Sequence, residues 1–163
     1  MEGELYIRSF EAGDQVQARW LVLEGLGEHF GSIDETLNPD LDDILHNYIR
    51  AGHVFVVGCM GREIVGTGAL INRGEGISEL VRISTRKDSR RRSVGQVIIT
   101  SLVNLARLRG DWRIIVKTNA SWHDVITFYK RLDFVEYERT ALGVSLQLLL
   151  AALEQGDTYG TSG

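Results

Sequence analysis

The chain has one cysteine, Cys59, and one proline, Pro39, among 163 residues. A lone thiol can close neither an internal disulfide nor a thiolate zinc cage, which excludes a secreted disulfide-built scaffold. One proline beside 18 glycines excludes a collagen-like chain. Charges of both signs are interspersed, which argues against disorder over most of the length. The longest unbroken apolar run, residues 148–153, is far short of the roughly 18 residues a membrane helix needs, so no membrane association is expected. Met1 leads into acidic and polar residues with neither a basic nor an apolar leader segment. No signal peptide is therefore expected, and the expected location is cytoplasmic. His29, His46, His53 and His123 lack metal-ligand spacing, so no metal is expected.

What is present suits one domain, and a chain of this size buries roughly 68–70% of its unfolded surface. Strand-like runs fall at residues 5–8, 53–58, 64–71, 77–85, 112–118 and 134–139. Met60-Gly61 is a plausible hairpin turn between the second and third of these. Helical spacing of Val16, Trp20, Leu23 and Leu26 predicts a helix from Asp14 to about His29. Asn38-Pro39-Asp40 opens a second, with Leu41, Ile44, Leu45, Tyr48 and Ile49 on one face and Gly52 as its stop. Two further helices are expected, at residues 94–108 ending by Gly110 and at 124–132. Residues 144–150 alternate as a strand does, although 146–154 also have helical propensity, and the strand is preferred. The order β-α-α-β-β-β-α-β-α-β-β predicts an α/β (α+β) domain: a mixed, mostly antiparallel sheet of about seven strands flanked by about four helices.

The net charge of −4 hides an asymmetry. Residues 1–60 carry 11 acidic and 3 basic side chains, whereas Arg82, Arg86, Lys87, Arg90, Arg91 and Arg92 crowd into one short stretch. A nucleic-acid binder would spread positive charge over a face, and none is expected here. The cluster is either a solvated loop or the seat of one small anion. Strand 77–85, basic loop and helix N-terminus together make a ready anion site. First-turn N–H groups point outward, the helix dipole adds its pull, and arginine forks suit phosphate oxygens. Gly95 lets backbone approach a ligand without a Cβ.

On these residues the chain resembles a family. Arg90-Arg91-Arg92-Ser93-Val94-Gly95 is similar to the acetyl-CoA motif Q/R-x-x-G-x-G/A of the GNAT superfamily of N-acetyltransferases. Asp124 to Phe134, with Phe128-Tyr129-Lys130-Arg131-Leu132-Asp133-Phe134, resembles the family's later helix, which commonly ends in Phe-Tyr-Glu-Lys-Leu-Gly-Phe. The likeness covers roughly residues 4–150. It departs at Ser93 and Asp133, where glycines are usual, at Lys87 for a frequent Pro, and at Trp122 and Val125 for Asn and Ala. Ser93 could cap the helix, with Gln96 completing a capping box.

The resemblance implies an N-acetyltransferase domain over residues 1–154, with 155–163 a polar tail. Acetyl-CoA would be the acetyl donor, and a primary amine would be acetylated by direct transfer in a ternary complex. By the same likeness, the backbone of Ile83, Ser84 and Thr85 would pair with the pantetheine arm and the acetyl oxygen. Arg91, Ser93, Val94, Gly95 and Gln96 would meet the pyrophosphate, while Arg90 and Arg92 either contact phosphates or stand in solvent. Glu79 is the candidate base, or else a structural carboxylate paired with Arg82 or another strand neighbour. Tyr129 is the candidate acid, or else an aromatic filling the interface beside Phe128. His123 is a lesser candidate proton carrier, and Cys59 reads as a core residue. Gly25-Leu26-Gly27 and Gly66-Thr67-Gly68 lack dinucleotide-site spacing.

The acceptor would be a small-molecule or peptide amine. Glu24, Glu28, Asp34, Glu35, Asp40, Asp42 and Asp43 would draw a cationic one, or are ordinary solvated surface. A homodimer is common in the family, though no residue here demands it. Two other functions remain open: a catalytically silent CoA-binding or regulatory module on the same fold, and a non-enzymatic anion-binding interaction domain.

Overall fold

The computed structural model describes residues 4–88 and 93–151. The elements are β1 (Leu5–Ser9), a 3-10 turn (Ala12–Asp14), α1 (Gln15–Phe30), a second 3-10 turn (Pro39–Asp43), a π-type turn (Leu45–Ile49), β2 (Val54–Met60), β3 (Glu63–Gly74), β4 (Ile77–Thr85), α2 (Val94–Leu108), β5 (Arg113–Asn119), α3 (His123–Arg131), β6 (Val135–Arg139) and β7 (Gly143–Leu149). The seven strands form one sheet in the order β1-β2-β3-β4-β5-β7-β6. Every neighbouring pair is antiparallel except β4 and β5. The expected element order and mostly antiparallel mixed sheet are borne out, including the strand at the C-terminal end, whose Val144 and Leu146 are buried. The polar tail at 155–163 lies outside the described residues.

Each face of the sheet carries its own core. One gathers Phe10, Ala18, Leu21, Leu41, Ile44 and Phe55 under α1. The other gathers Leu80, Ile98, Leu102, Ile114, Tyr129 and Leu146 under α2 and α3. Burial of this kind contributes about 25 cal/mol per Å² of apolar surface and dominates the stability of the fold.

Two local expectations are corrected. The second helix is not a continuous α-helix. The Gln15 side chain reaches across from α1, donating to the Leu41 carbonyl at 2.7 Å and accepting from the Ile44 N–H at 3.0 Å. It takes backbone groups that a regular helix would use for itself, and the segment settles as a 3-10 turn followed by a wider one. The buried stripe of α1 differs in part. Leu23 is buried and Leu26 packs against the core as the spacing predicts, but Ala18, Leu21 and Val22 complete the face, while Val16 and Trp20 are exposed. The helix lies close to β4 farther on, where a Cβ at Gly25 would stand 3.3 Å from Ser84 Oγ.

Candidate active site

The site begins where two strands part. Residues 77–80 of β4 pair with 113–116 of β5. Both strands run on, β4 to Thr85 and β5 to Asn119, but no longer together. Val81 to Thr85 keeps β3 on its other edge and leaves this edge open. Arg82 marks a bulge there: its φ is +56°, the β3 register slips between Thr67 and Ala69, and Thr67 Oγ1 donates to the Arg82 carbonyl at 2.8 Å. Bulges re-aim side chains, and this one sends Arg82 toward the turn that begins at Pro39.

The parting opens a cleft of about 1250 Å³. Ile83, Ser84, Thr85, Ser93, Gly95, Gln96 and Tyr129 all line it, so the structure brings these expected site residues together. Val94 is fully buried in the core and is not in the cleft lining. Arg90, Arg91 and Arg92 lie outside the described residues. Glu79 and His123 are not in the cleft lining, and His123 is exposed.

At one end the cleft meets the first turn of α2. Ser93 adopts a left-handed conformation, φ +58°, and its side chain makes no cap bond. The capping box expected with Gln96 therefore does not form, because that geometry needs an extended N-cap. The consequence favours a ligand: the N–H groups of 94–96, which no helix carbonyl can reach, are not taken by a serine oxygen. Gly95 has a packing role as well, since a Cβ there would stand 3.3 Å from Phe128 Cζ and 3.5 Å from Thr85 Cγ2.

Tyr129 enters from α3 between Phe128 and Phe134, with ring centroids 5.5 Å from each and edge-to-face geometry. It is buried, and burial alone pushes its phenol well above the usual tyrosine range. On β5, the Thr118 Oγ1 is the one buried side-chain polar atom among the described residues without a hydrogen-bond partner, and Thr118 lines the same cleft. A buried hydroxyl without a partner is costly, so this one invites a ligand or water. Trp122, where the motif has Asn, stacks on His29 at 4.1 Å and meets Phe30 edge-on at 5.4 Å. This contact carries the end of α1 to the turn before α3.

At the other end, side chains that the sequence reading did not connect form two ion pairs. Glu79, buried beside the point where the strands part, receives Arg73 Nη2 at 2.7 Å and Nε at 2.9 Å on Oε1. Its partner is thus Arg73 and not Arg82. Arg82 instead donates from Nε and Nη2 to Asp40 at 3.0 and 2.6 Å, with Nη2 also reaching Asn38 Oδ1 at 3.2 Å. Tyr48 donates to Asp40 Oδ2 at 2.6 Å. Burial works to raise the Asp40 pKa, but the bonds from Arg82 and Tyr48 outweigh it and hold the carboxyl below its ordinary value. Burial, then Asp40, push the Tyr48 phenol up to about 12.

The acidic residues expected to draw a cationic acceptor are spread over the surface and the cleft. Of the seven acidic residues singled out, only Glu28 and Asp40 line the cleft. Glu35 and Asp42 pair with Arg19, Asp34 accepts from Thr36, and Asp43 accepts from the His46 N–H. Among the described residues no group of three or more His, Cys, Asp or Glu could hold a metal, and no helix is long and apolar enough to cross a membrane.

The profile described as the acetyltransferase (GNAT) family matches residues 20–134. The chain belongs to the GNAT acetyltransferase family. Acyl transfer is therefore the reaction class. Among solved structures, a GNAT-family acetyltransferase from Staphylococcus aureus superposes with a TM-score of 0.82 at 21% identity, covering 91% of this chain and 100% of that one. The PaiA N-acetyltransferase of Thermoplasma acidophilum, solved with coenzyme A, gives 0.81 at 12% identity, covering 90% and 99%. A ribosomal-protein-alanine N-acetyltransferase from Brucella melitensis gives 0.71 at 17% identity, covering 89% and 99%. At such identities the likeness is one of fold. No curated protein matches the chain in sequence.

Proposed function

We propose that the protein transfers an acetyl group from acetyl-CoA to a primary amine, in a ternary complex and without a covalent enzyme intermediate. The observation that carries this is the parting of β4 from β5 directly beside the uncapped first turn of α2. An extended chain with amide groups fits a free strand edge, and a pyrophosphate fits first-turn N–H groups. In this reading residues 83–85 hold the pantetheine arm through backbone, and 93–96 hold the phosphates; Arg90, Arg91 and Arg92, next to them in sequence, are proposed as further phosphate contacts. Thr118 Oγ1 is a further polar contact waiting in the same cleft.

Bound acetyl-CoA supplies an acetyl thioester, whose carbonyl carbon the amine attacks as the carbon–sulfur bond breaks. The chain must then manage protons. A lysine-type amine has a pKa near about 10.4 and needs help to lose its proton. Glu79 takes it in this proposal, through water reaching Oε2, because Oε1 is occupied by Arg73. Tyr129 keeps its phenolic proton, since burial has raised its pKa. A thiolate's proton affinity corresponds to a pKa of about 8.5, far below such a phenol. Tyr129 therefore stabilises the departing sulfur by donating a hydrogen bond; the first proton of the ammonium rests with Glu79, and the second, lost from nitrogen as the amide forms, ends on sulfur.

The test is calorimetric titration with acetyl-CoA, followed by release of free CoA with a panel of amines. Micromolar binding with amine-dependent CoA release is the expected result. Binding without release for any amine makes the protein a silent CoA-binding module, and absence of binding refutes the reading. Gly95→Trp is unsuitable as the control, because its side chain would displace Phe128.

A further inference from the structure

The end of the cleft away from α2 has few free acceptors and several free donors. The two carboxylates that face its arginines are paired: Asp40, in the lining, takes three hydrogen bonds, and Glu79, outside the lining, takes two on Oε1. Each arginine, by contrast, has capacity left. Among the described residues nothing accepts from Nη1 of Arg73 or Nη1 of Arg82, and both residues line the cleft. Arg73 is half-exposed, and Arg82 keeps about a fifth of its side chain open. His53 joins them in the lining. Its Nδ1 accepts the Asn72 N–H at 3.0 Å, which leaves its proton on Nε2 as another donor.

Resting on the acetyltransferase reading, we propose that the acceptor is an amine that also carries a carboxylate, gripped by the free donors of Arg73 and Arg82. Guanidinium groups are planar and always charged, and their forks match the two oxygens of a carboxylate. A purely cationic amine finds both carboxylates beside these arginines already paired, with Glu79 Oε2 alone of their oxygens left unbonded among the described residues. A carboxylate on Arg73 would also bring its amine toward Glu79, the residue that Arg73 already holds.

The test uses matched pairs, alanine with alaninamide and lysine with lysinamide, and spermidine as an amine lacking any carboxylate. The acids should exceed their amides by about tenfold in kcat/KM, the size expected for one lost charge-assisted contact. Arg73→Lys keeps a cation on Glu79 but loses the fork. It should bring that ratio below about threefold while leaving the KM for acetyl-CoA unchanged. Arg82→Lys should do the same should Arg73→Lys fail to fold. A preference for the amides or for spermidine overturns the inference and leaves the acetyltransferase reading standing. If no amine is turned over, the acetyltransferase reading fails, and melting of the CoA complex with each pair decides separately. An acid-selective rise supports the carboxylate site, and equal shifts or none overturn it.

Discussion

The two ends of the cleft are built from different materials. At α2 the available groups are backbone: the edge of residues 81–85 and the first-turn N–H groups, with Val94 turned into the core. At the far end they are side chains, held by ion pairs that join the turn after Pro39 to β3 and β4. Backbone donors depend on conformation and tolerate changes of residue. Paired side chains depend on identity, and losing one leaves its partner with an unmet charge. On the proposed function, the α2 end should therefore bind the same cosubstrate through many sequence changes, and changes at the far end should alter which acceptor is used.

The largest effect is expected at a residue belonging to neither material. Tyr129→Phe should lower kcat by about 10²-fold or more, in the range for a lost hydrogen-bond donor to developing negative charge. The KM for acetyl-CoA and for the amine should stay within about threefold. Stability should hardly change, because no hydrogen bond among the described residues engages the phenol and its ring packing against Phe128 and Phe134 is preserved. Steady-state kinetics and a melting curve check both halves. An equal fall in kcat/KM with unchanged kcat would move Tyr129 from chemistry to binding.

Asp40→Asn strikes the side-chain end. With side chains 20% and 33% exposed, the Arg82–Asp40 pair should be worth about 1–2 kcal/mol, less than a fully buried pair. That corresponds to a loss of roughly 2–8 °C in Tm for a chain of this size. The pH dependence has a definite sign. Because the folded Asp40 pKa is lowered from 3.8, its contribution is complete above that value and disappears as pH falls through the folded value. The Tm gap between parent and variant should be full at neutral pH and narrow below about pH 4. The variant should also raise the acceptor KM and leave that of acetyl-CoA alone, which would sharpen the contrast between the ends.

Why one end could be read from sequence and the other could not follows from where the residues lie. Residues 77–96 are contiguous, so a single stretch displayed the proposed phosphate site and its likeness to the family. The sheet was equally legible, since the runs of β-forming residues along β2, β3 and β4 and the alternation along β7 are local. Asp40, Tyr48, Arg73 and Arg82 come from separate segments. Their pairing is set by the bulge that turns Arg82 to Asp40 and leaves Glu79 to Arg73, and no periodicity announces a bulge. The second helix was misjudged for a similar reason: the Gln15 amide that interrupts it lies 26 residues upstream of Leu41. The α1 spacing finds Leu23 but puts Val16 and Trp20 where Ala18, Leu21 and Val22 are buried, because the rotation of a helix on the sheet is set by tertiary packing and not by its own periodicity.

The smallest expected effects fall at the backbone end and test its independence from side chains. Ser93 and Asp133 replace the two motif glycines, and both have positive φ, +58° and +72°. The glycines are thus explained by conformation: a Cβ in the left-handed region costs about 1–2 kcal/mol, offset in part by the roughly 0.5–1 kcal/mol of extra chain entropy glycine loses on folding. Ser93→Gly should accordingly stabilise the protein by about 0.5–1 kcal/mol, a rise of roughly 1–4 °C in Tm. Asp133→Gly should gain less, because aspartate tolerates this region better than serine. Since Ser93 makes no cap bond, its hydroxyl has nothing to surrender at the helix start, and acetyl-CoA affinity should stay within about threefold by calorimetry. A tenfold loss of affinity in Ser93→Gly would mean that the serine side chain itself holds the cosubstrate, and the α2 end would then be no more a backbone site than the arginine end is.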